Sequence, residues 1–284
     1  MRKLLIMLAV LASAAAVTVA PAGAITGNWV EDFDHDYVVL IAFYDADGEF
    51  LWRCSGSLLN STTVLTAGHC TDVAAGAVSA IVWASQTGGS TYDPVTETEA
   101  ITGYPNRCIN SAEYPCAVSH TLIEYGYGGA VYLQGDNKDV GLVILDTPIV
   151  LDEYAVLAEA NSVDSLATGT PVTMSGYGVS DEPHVLSFRE RLMATAFILN
   201  TRNRTSEFNV FVSNNPGRGL GGTCFGDSGG PLLYDDTDIV LGVTSFGTNG
   251  NCGGTGYYYR IDQPDVLDWI VENADGPVTI VPLP

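Results

Sequence analysis

The segment GGTCFGDSGGP, residues 221–231, places an aspartate directly before a serine and surrounds the pair with glycines. Glycine loses more conformational freedom on folding than any other residue and adds no side chain to a core. Such a segment forms either an ordinary turn between two strands or a nucleophile loop, in which backbone N–H groups face a reacting oxygen. The segment alone leaves both interpretations open.

The rest of the chain is built from short apolar and β-branched runs that are separated by Gly, Asn, Asp and Pro. Examples are YVVLIAFY (37–44), VGLVIL (140–145) and IVLGVTSF (239–246). This pattern is typical of an all-β sandwich or barrel. A clear helical period is found at QPDVLDWIVENA (263–274), whereas DEYAVLAEA (152–160) is compatible with a helix or an extended segment.

The first residues have the pattern of a secretory signal. Arg2 and Lys3 precede an apolar run over residues 4–24, which ends in APAGA. A basic start, an apolar centre and a small-x-small ending predict a signal peptide of residues 1–24. A membrane anchor is the alternative, because the run is nearly long enough to span a bilayer. We expect a secreted, extracellular protein with no membrane contact after cleavage.

Charge and cysteine content narrow the possible partners and cofactors. The chain has 33 acidic and 11 basic residues, and a surface this acidic repels nucleic acids and anionic membranes. In a secreted chain, the 6 cysteines predict three disulfides rather than a metal site. We therefore expect no nucleic-acid partner, no metal and no cofactor.

A second segment, CSGSLLNSTTVLTAGHC (54–70), helps to decide between the two interpretations of residues 221–231. It ends with His69 directly before Cys70, and DVGLVIL (139–145) opens with Asp139. Together with GDSGGP, these motifs resemble those of the chymotrypsin-like (trypsin-like) serine proteases, in the order His, Asp, Ser that this family uses. The signal segment resembles that of a bacterial secreted member.

The resemblance covers residues 25 to about 273 and implies a fold. It implies one peptidase domain over residues 25–284, made of two packed six-stranded antiparallel β-barrels at about 30–150 and 155–262. A short helix at about 264–273 would complete it, and the three prolines of residues 275–284 predict that the C-terminal tail is extended or loose.

The resemblance also assigns catalytic roles. Ser228 would be the nucleophile, His69 its general base, and Asp139 the acceptor that orients the imidazole. Asp136 is the alternative acid, but it lacks the Val-Gly-Leu that follows Asp139. The N–H groups of Gly226 and Ser228 would form the oxyanion hole. Because an unperturbed imidazole titrates near pH 6.5, activity should fall below about pH 6.

Asp227 would have a different partner, the free α-ammonium of the mature N-terminus. Cleavage after Ala24 would leave ITGN as the new start, which is similar to the family's IVGG. Signal cleavage itself would then expose Ile25, with no separate activation step. In the alternative interpretation, Ile25 only begins a strand and the oxyanion loop forms without an ammonium.

Two disulfides follow from the same resemblance. It pairs Cys54 with Cys70 and Cys224 with Cys252, which leaves Cys108 and Cys116 to close a short loop. The last bridge has no counterpart that the resemblance supplies.

The resemblance places Gly222, the residue six before the serine, at the base of the substrate pocket. Because this residue is not an acid, a preference for Arg or Lys is disfavoured. The other expected pocket residues are Thr223, Ser245, Phe246, Gly247 and Gly256. A pocket with these residues should be open and neutral, and it should accept a medium or large apolar side chain such as Leu, Phe or Tyr.

The most specific function that the sequence supports is a secreted serine endopeptidase acting on proteins or peptides. We expect a monomer, with a protein inhibitor as a possible partner. A catalytically silent relative used for binding or adhesion is the alternative, but all three triad residues are present. An esterase of the α/β-hydrolase type is disfavoured, because the histidine comes first and βα alternation is absent.

Overall fold

The computed structural model describes residues 25–88, 108, 110–112, 115–129, 136–179, 190–201, 207–215 and 218–284. The predicted signal peptide lies outside these residues. In chain order, the described strands are β1 (Thr26–Gly27), β2 (Val30–Glu31), β3 (Val38–Tyr44), β4 (Phe50–Leu58), β5 (Thr63–Thr66), β6 (Ser79–Trp83), β7 (Cys116–Ser119), β8 (Thr121–Glu124), β9 (Gly141–Ile144), β10 (Val156–Ala158), β11 (Pro171–Gly176), β12 (Leu192–Asn200), β13 (Asn209–Asn214), β14 (Gly221–Gly222), β15 (Pro231–Tyr234), β16 (Ile239–Gly247), β17 (Gly254–Arg260) and β18 (Ile280–Val281). The α-helix α1 spans Pro264–Asn273, and short 3₁₀ helices span Val73–Ala75 and Ser162–Ser165.

The first sheet contains strands β3 to β9 in the order β7-β6-β3-β4-β5-β9-β8. It has 7 strands instead of the expected six, because the chain turns at His120 and divides one extended segment into β7 and β8. These two strands form opposite edges of the sheet, which bends until it is nearly closed. Its strands pair antiparallel throughout.

The second sheet contains a closed ring of six antiparallel strands, β15-β11-β12-β13-β17-β16, which the pairing of β15 with β16 completes. Strands β2, β10 and β18 add to this ring. The added strand β10 runs parallel to both β16 and β18, so the second sheet as a whole is mixed although its six-stranded ring is antiparallel. The predicted all-β class with two barrels and a short C-terminal helix is confirmed.

Side-chain alternation explains how the strands build the two cores. In β12, Leu192, Ala194, Ala196 and Ile198 are buried, and the residues between them are more exposed. Since successive side chains of a strand point to opposite faces, this period of two places one face in the core of the second barrel. Strand β3 is buried along its whole length, because both of its faces are covered.

The segment before β3 is fixed to the second barrel by buried charges. His35 is buried and only 4% exposed. Its Nδ1 lies 2.9 Å from Asp32 Oδ1, and the buried Arg191 donates from Nε to Asp32 O at 3.0 Å. Ser175 Oγ also donates to the Asp32 carboxylate.

The C-terminal tail is extended as predicted, but it is attached rather than loose. Thr62 Oγ1 donates to Asp275 O at 2.6 Å, and Asn60 Nδ2 donates to Pro277 O at 3.2 Å. Beyond these contacts, β18 pairs with β10. The tail therefore contacts the β4–β5 turn of the first barrel and an added strand of the second. Within the described part of the chain, no helix has the length and apolar character needed to cross a bilayer.

Candidate active site

His69 and Asp139 meet because the strands next to them pair. His69 follows β5 and Asp139 precedes β9, and Thr66 is paired with Gly141 in these two strands. The buried Asp139 carboxylate accepts the backbone N–H of His69 at 2.8 Å. Its two oxygens lie 3.1 and 3.0 Å from His69 Nδ1. This arrangement favours a proton on Nδ1 and leaves Nε2 as the basic nitrogen.

The turn that carries His69 needs a glycine at position 68. A Cβ on Gly68 would lie 3.1 Å from both Lys138 O and Val140 N, which is tighter than ordinary van der Waals contact. The missing side chain lets this turn pack directly against the backbone on either side of Asp139. Sequence pattern alone identifies the glycine but not this contact.

The alternative acid, Asp136, has other hydrogen-bond partners than His69. Its Oδ1 accepts a hydrogen bond from Tyr259 OH at 2.7 Å and from the backbone N–H of Lys138 at 2.9 Å. Lys138 adopts a left-handed φ of 49°, and its Nζ lies 5.5 Å from the centre of the Tyr125 ring. The contacts of Asp136 are thus structural, and the structure favours Asp139 as the partner of His69.

The Asp139 carboxylate controls the proton affinity of His69. Burial disfavours the charged imidazolium, but the negative charge and hydrogen bonding of Asp139 outweigh burial and raise the pKa of His69 above its ordinary value of 6.5. The side chain still has 23% of its surface exposed. The expected loss of activity therefore moves from about pH 6 to a pH above 6.5.

Ser228 and His69 lie on the wall of one cavity of about 510 Å³. Ser228 is held between the barrels, because its carbonyl accepts the N–H of Ser55 on β4 at 2.8 Å. The next residue, Gly229, has a φ of 79°, and a Cβ there would lie 2.0 Å from Thr66 Oγ1. Glycine is therefore required for the nucleophile loop to approach β5.

The backbone around Gly226 is oriented by contacts on both sides. The carbonyl of Phe225 accepts the N–H of Val179 at 2.8 Å, so the N–H of Gly226 points the opposite way across a planar trans peptide. Ser55 Oγ donates to Gly226 O at 2.9 Å. Neither Gly226 N–H nor Ser228 N–H donates to another described residue. Two unpaired donors next to a serine suit a developing oxyanion.

Asp227 is fully buried behind Ser228. Its carboxylate accepts the N–H of Gly178 and the N–H of Cys224, each at 2.8 Å. Burial raises the pKa of Asp227 to about 7, although these N–H groups and the Arg53 charge oppose the rise. Ile25 is buried in the second barrel, and the adjacent β1 pairs with β14, a few residues before Asp227.

The structure contains disulfides joining Cys54 to Cys70, Cys108 to Cys116 and Cys224 to Cys252. The first links β4 to the His69 turn, and the third links the serine loop to the strand connection on the far side of the cavity. Cys54, His69 and Cys70 form the group with metal-like spacing among the described residues. Because its cysteines are oxidised to a disulfide, the group offers no thiolate to a metal.

Four of the six expected pocket residues line the cavity, and two do not. The lining ones are Thr223, Ser245, Phe246 and Gly247. Ser245 has a second role, since its hydroxyl donates to the Asp139 carboxylate. Gly222 and Gly256 pack instead against the side chain of Asn214, which itself lines the cavity.

Sequence reasoning missed two polar residues of this site. Ser55 hydrogen-bonds to the nucleophile loop, and Asn214 fills the expected pocket base. Ser55 lies inside the recognised CSGSLL segment, so that motif could have drawn attention to it. Asn214 has no comparable signal, because its role depends on which strands lie side by side.

The two barrels and the His69–Asp139 pair beside Ser228 define a class, the serine endopeptidases with a chymotrypsin-like fold. Residues 29–270 match the family profile described as Trypsin, and the chain therefore belongs to the trypsin family. Membership implies protein or peptide substrates, and the disulfides agree with an extracellular environment.

The chain is similar to several animal proteases. It is 28% identical to Trypsin zeta of Drosophila erecta over 246 residues, which cover 81% of this chain and 78% of the relative. It is also 28% identical to Brachyurin of Leptuca pugilator, covering 78% of this chain and 87% of the relative. The bacterial origin expected from the signal segment has no support in these relatives.

Solved structures show the same fold. HL collagenase matches with a TM-score of 0.63 and 21% identity, covering 88% of this chain and 97% of that structure. Human heparin binding protein matches with a TM-score of 0.62 and 21% identity, covering 91% and 99%. At these identities the likeness concerns the fold alone.

Proposed function

We propose that this protein is a secreted serine endopeptidase that hydrolyses peptide bonds through an acyl-enzyme on Ser228. His69 takes the proton of the serine hydroxyl and later gives it to the leaving amine, while Asp139 holds the imidazole and stabilises its charged form. The observation that carries the proposal is the buried Asp139 bound to His69 Nδ1 on the wall of the cavity that also contains Ser228.

The N–H groups of Gly226 and Ser228 are proposed to bind the oxyanion of the tetrahedral intermediate. The Phe225–Val179 hydrogen bond supports this role, because it fixes the orientation of the Gly226 peptide. Loss of one such donor costs about 3 kcal/mol of transition-state stabilisation in comparable sites. Ser55 acts through the loop and is a positioning residue.

Labelling and digestion test the proposal together. A fluorophosphonate that reacts with activated serines should transfer its phosphonyl group to Ser228 Oγ with release of fluoride and the hydroxyl proton, and a mixed peptide library should be cut. Ser228→Ala should fold normally and lose both reactions, whereas Ser165→Ala, remote from the cavity, should keep both. A wild-type protein that is neither labelled nor active would instead support the silent binding module.

Maturation is proposed to occur by signal cleavage after Ala24, which creates an α-ammonium on Ile25. A nearby cation stabilises the ionised form of a buried carboxylate whose pKa is raised. Asp227 is such a carboxylate. N-terminal sequencing of the secreted, active protein should begin at Ile25. Full activity in a protein with any other first residue would refute this pairing.

The neutral cavity supports a preference for an apolar residue before the cut. Its described lining contains no Asp, Glu, Lys or Arg, so a cationic side chain would enter it without a partner. The protein is proposed to act as a monomer, and a protein inhibitor would bind over this cavity. Size-exclusion chromatography with light scattering tests the monomer.

A further inference from the structure

The carboxamide of Asn214 occupies the base of the candidate substrate cavity. Asn214 is the last residue of β13, lines the cavity and is 3% exposed. A Cβ on Gly222 would lie 2.3 Å from Asn214 Cγ, and one on Gly256 would lie 2.9 Å from its Nδ2. The carboxamide therefore fills the space that side chains at those two positions would need.

This carboxamide has unused hydrogen-bonding capacity. Its Oδ1 is buried without a partner, although buried polar atoms are normally hydrogen-bonded and an unpaired one costs about 1–3 kcal/mol. The nearby Thr223 hydroxyl differs, since it lies 3.0 Å from Tyr258 OH. Tyr258 OH donates to Met174 Sδ at 2.8 Å. The Thr223 hydroxyl therefore donates its proton to Tyr258 OH and has no proton left for a substrate.

The rest of the cavity determines which side chain can reach Asn214. Phe225, Phe246 and Gly247 contribute apolar surface to its wall, and its described lining contains no carboxylate. A long apolar side chain with a hydroxyl at its far end matches this distribution. A phenol both donates and accepts a hydrogen bond, so it can pair with either the oxygen or the NH₂ group of a carboxamide.

We propose that Asn214 is a specificity-determining residue and that it selects tyrosine immediately before the scissile bond. The inference rests on the proposed peptidase function and narrows its apolar preference. The phenol hydroxyl of the substrate hydrogen-bonds to the Asn214 carboxamide, while the ring lies along the apolar wall. Phenylalanine and leucine fill the same space but leave the carboxamide without a partner.

Matched peptides that differ only in the residue before the cut test this proposal on the secreted wild-type protein. Among Tyr, Phe, Leu, Gln and Lys, tyrosine should give the highest kcat/KM, about tenfold above phenylalanine for one additional buried hydrogen bond. Equal values for Tyr and Phe, or a higher value for Gln or Lys, overturn the assignment. If no peptide is cut, the proposed function and this inference both fail.

Substitutions of Asn214 test whether this residue causes the preference for tyrosine. Asn214→Leu should bring the Tyr/Phe ratio close to one while Phe is still cut. Asn214→Asp should raise kcat/KM for Lys and Arg at least about tenfold, because a carboxylate at the base offers a cation its partner. The exposed neighbour variant Asn215→Asp adds the same charge outside the cavity and should leave the preference unchanged.

Thr244 provides the competing explanation. Its Oγ1 also lies buried without a partner and belongs to the cavity wall. Thr244→Val should keep the Tyr/Phe ratio of the wild type. If Thr244→Val abolishes the preference for Tyr over Phe and Asn214→Leu does not, the tyrosine hydroxyl binds Thr244 and the assignment to Asn214 is wrong.

Discussion

At the scale of single residues, the site depends on a few groups whose properties are set by one close neighbour. Asp139 raises the proton affinity of His69, and the hydroxyl of Ser245 in turn hydrogen-bonds to Asp139. The side chain of Asn214 leaves no room for a Cβ at Gly222 or Gly256. Each of these relations makes a single substitution informative.

The pH dependence of activity should report the His69–Asp139 pair. In the proposed mechanism the neutral imidazole is the base, and its pKa is raised above 6.5, so kcat/KM should fall as the pH drops through a value above 6.5. Asp139→Asn should lower kcat about ten-thousand-fold, and the residual activity should be lost at a lower pH than the activity of the wild type. Initial rates measured across the pH range check both effects.

Asp136→Asn is the matched control for this experiment, since Asp136 lies in the same loop but contacts Tyr259 and Lys138. In Asp136→Asn, kcat/KM should fall at the same low pH as in the wild type. If this fall shifts in Asp136→Asn but not in Asp139→Asn, Asp139 is not the partner of His69.

Gly222→Ala should destabilise the protein by about 1–3 kcal/mol, the usual range for overpacking a close-packed site. The new Cβ would lie 2.3 Å from Asn214 Cγ. The Cβ of Asn214 would also lie only 2.5 Å away, so adding Asn214→Gly, which removes the whole side chain, should restore much of the loss and make the two changes strongly non-additive. Urea unfolding of the single and double variants measures this coupling.

Gly128→Ala is the comparison, because a Cβ there meets nothing within 4 Å. It should change the free energy of unfolding little. Additive effects of Gly222→Ala and Asn214→Gly would show that these two residues do not compete for the same space.

At the scale of elements, the segment before β3 is held by charge instead of by a long strand. Its strands β1 and β2 contain 2 residues each, and Asp32 forms buried charged contacts with His35 and Arg191. This attachment matters for function under the proposed maturation, because the same segment begins at Ile25.

The Asp32–His35 pair should stabilise the fold in a defined pH window. Asp32 offsets the burial of His35 and raises its pKa above 6.5, so this contribution is present below pH 6.5 and is lost as the pH rises through the raised pKa. Burial opposes ionisation of Asp32, but His35, Ser175 and Arg191 lower its pKa below 3.8, so its contribution is lost as the pH falls through that lowered value. His35→Gln should therefore cost most between pH 3.8 and 6.5, by about 3 kcal/mol for a buried pair.

Urea unfolding of His35→Gln and the wild type across this pH range tests the window. His120→Gln is the control, because the His120–Asp146 pair has side chains that are 69% and 41% exposed. Exposed pairs contribute little, so His120→Gln should change stability slightly at every pH. A cost for His35→Gln that is the same at pH 5 and pH 9 would contradict the linkage.

The sequence predicted the parts of the site that follow from local motifs. GDSGGP, TAGHC and DVGL place Ser228, His69 and Asp139 next to strands whose pairing brings two of them together. The sequence did not predict Asn214, because its position depends on the packing of β13 beside β14 and β17. It also missed the burial of His35, which depends on contacts with the distant Arg191 and Ser175.

At the scale of the whole molecule, the C-terminal tail connects the two barrels after both are complete. Val278 packs against the large cluster of buried side chains that includes the core of the first barrel, whereas Val281 and Leu283 pack against a cluster within the second barrel. The parallel pairing of β18 with β10 fixes this path. The three prolines of the tail left an extended and a loose conformation open, because composition does not show that a strand edge is available to receive it.

Deletion of residues 277–284 should lower the free energy of unfolding by about 3 kcal/mol, at about 1 kcal/mol for each of its three partly buried apolar side chains. Thermal and urea unfolding measure the loss. Val271→Ala on α1, where the side chain is 49% exposed, should have a much smaller effect. An unchanged unfolding midpoint after the deletion would mean that the tail is bound without stabilising the fold.

Lys138 has a practical consequence for chemical labelling. It is the only lysine in residues 25–284, its side chain is exposed, and it directly precedes Asp139. The proposed maturation buries the α-amino group of Ile25. Amine-directed reagents should therefore attach a single dye or a surface tether at one defined point beside the catalytic loop, and the resulting uniform conjugate would suit fluorescence or immobilised-enzyme measurements.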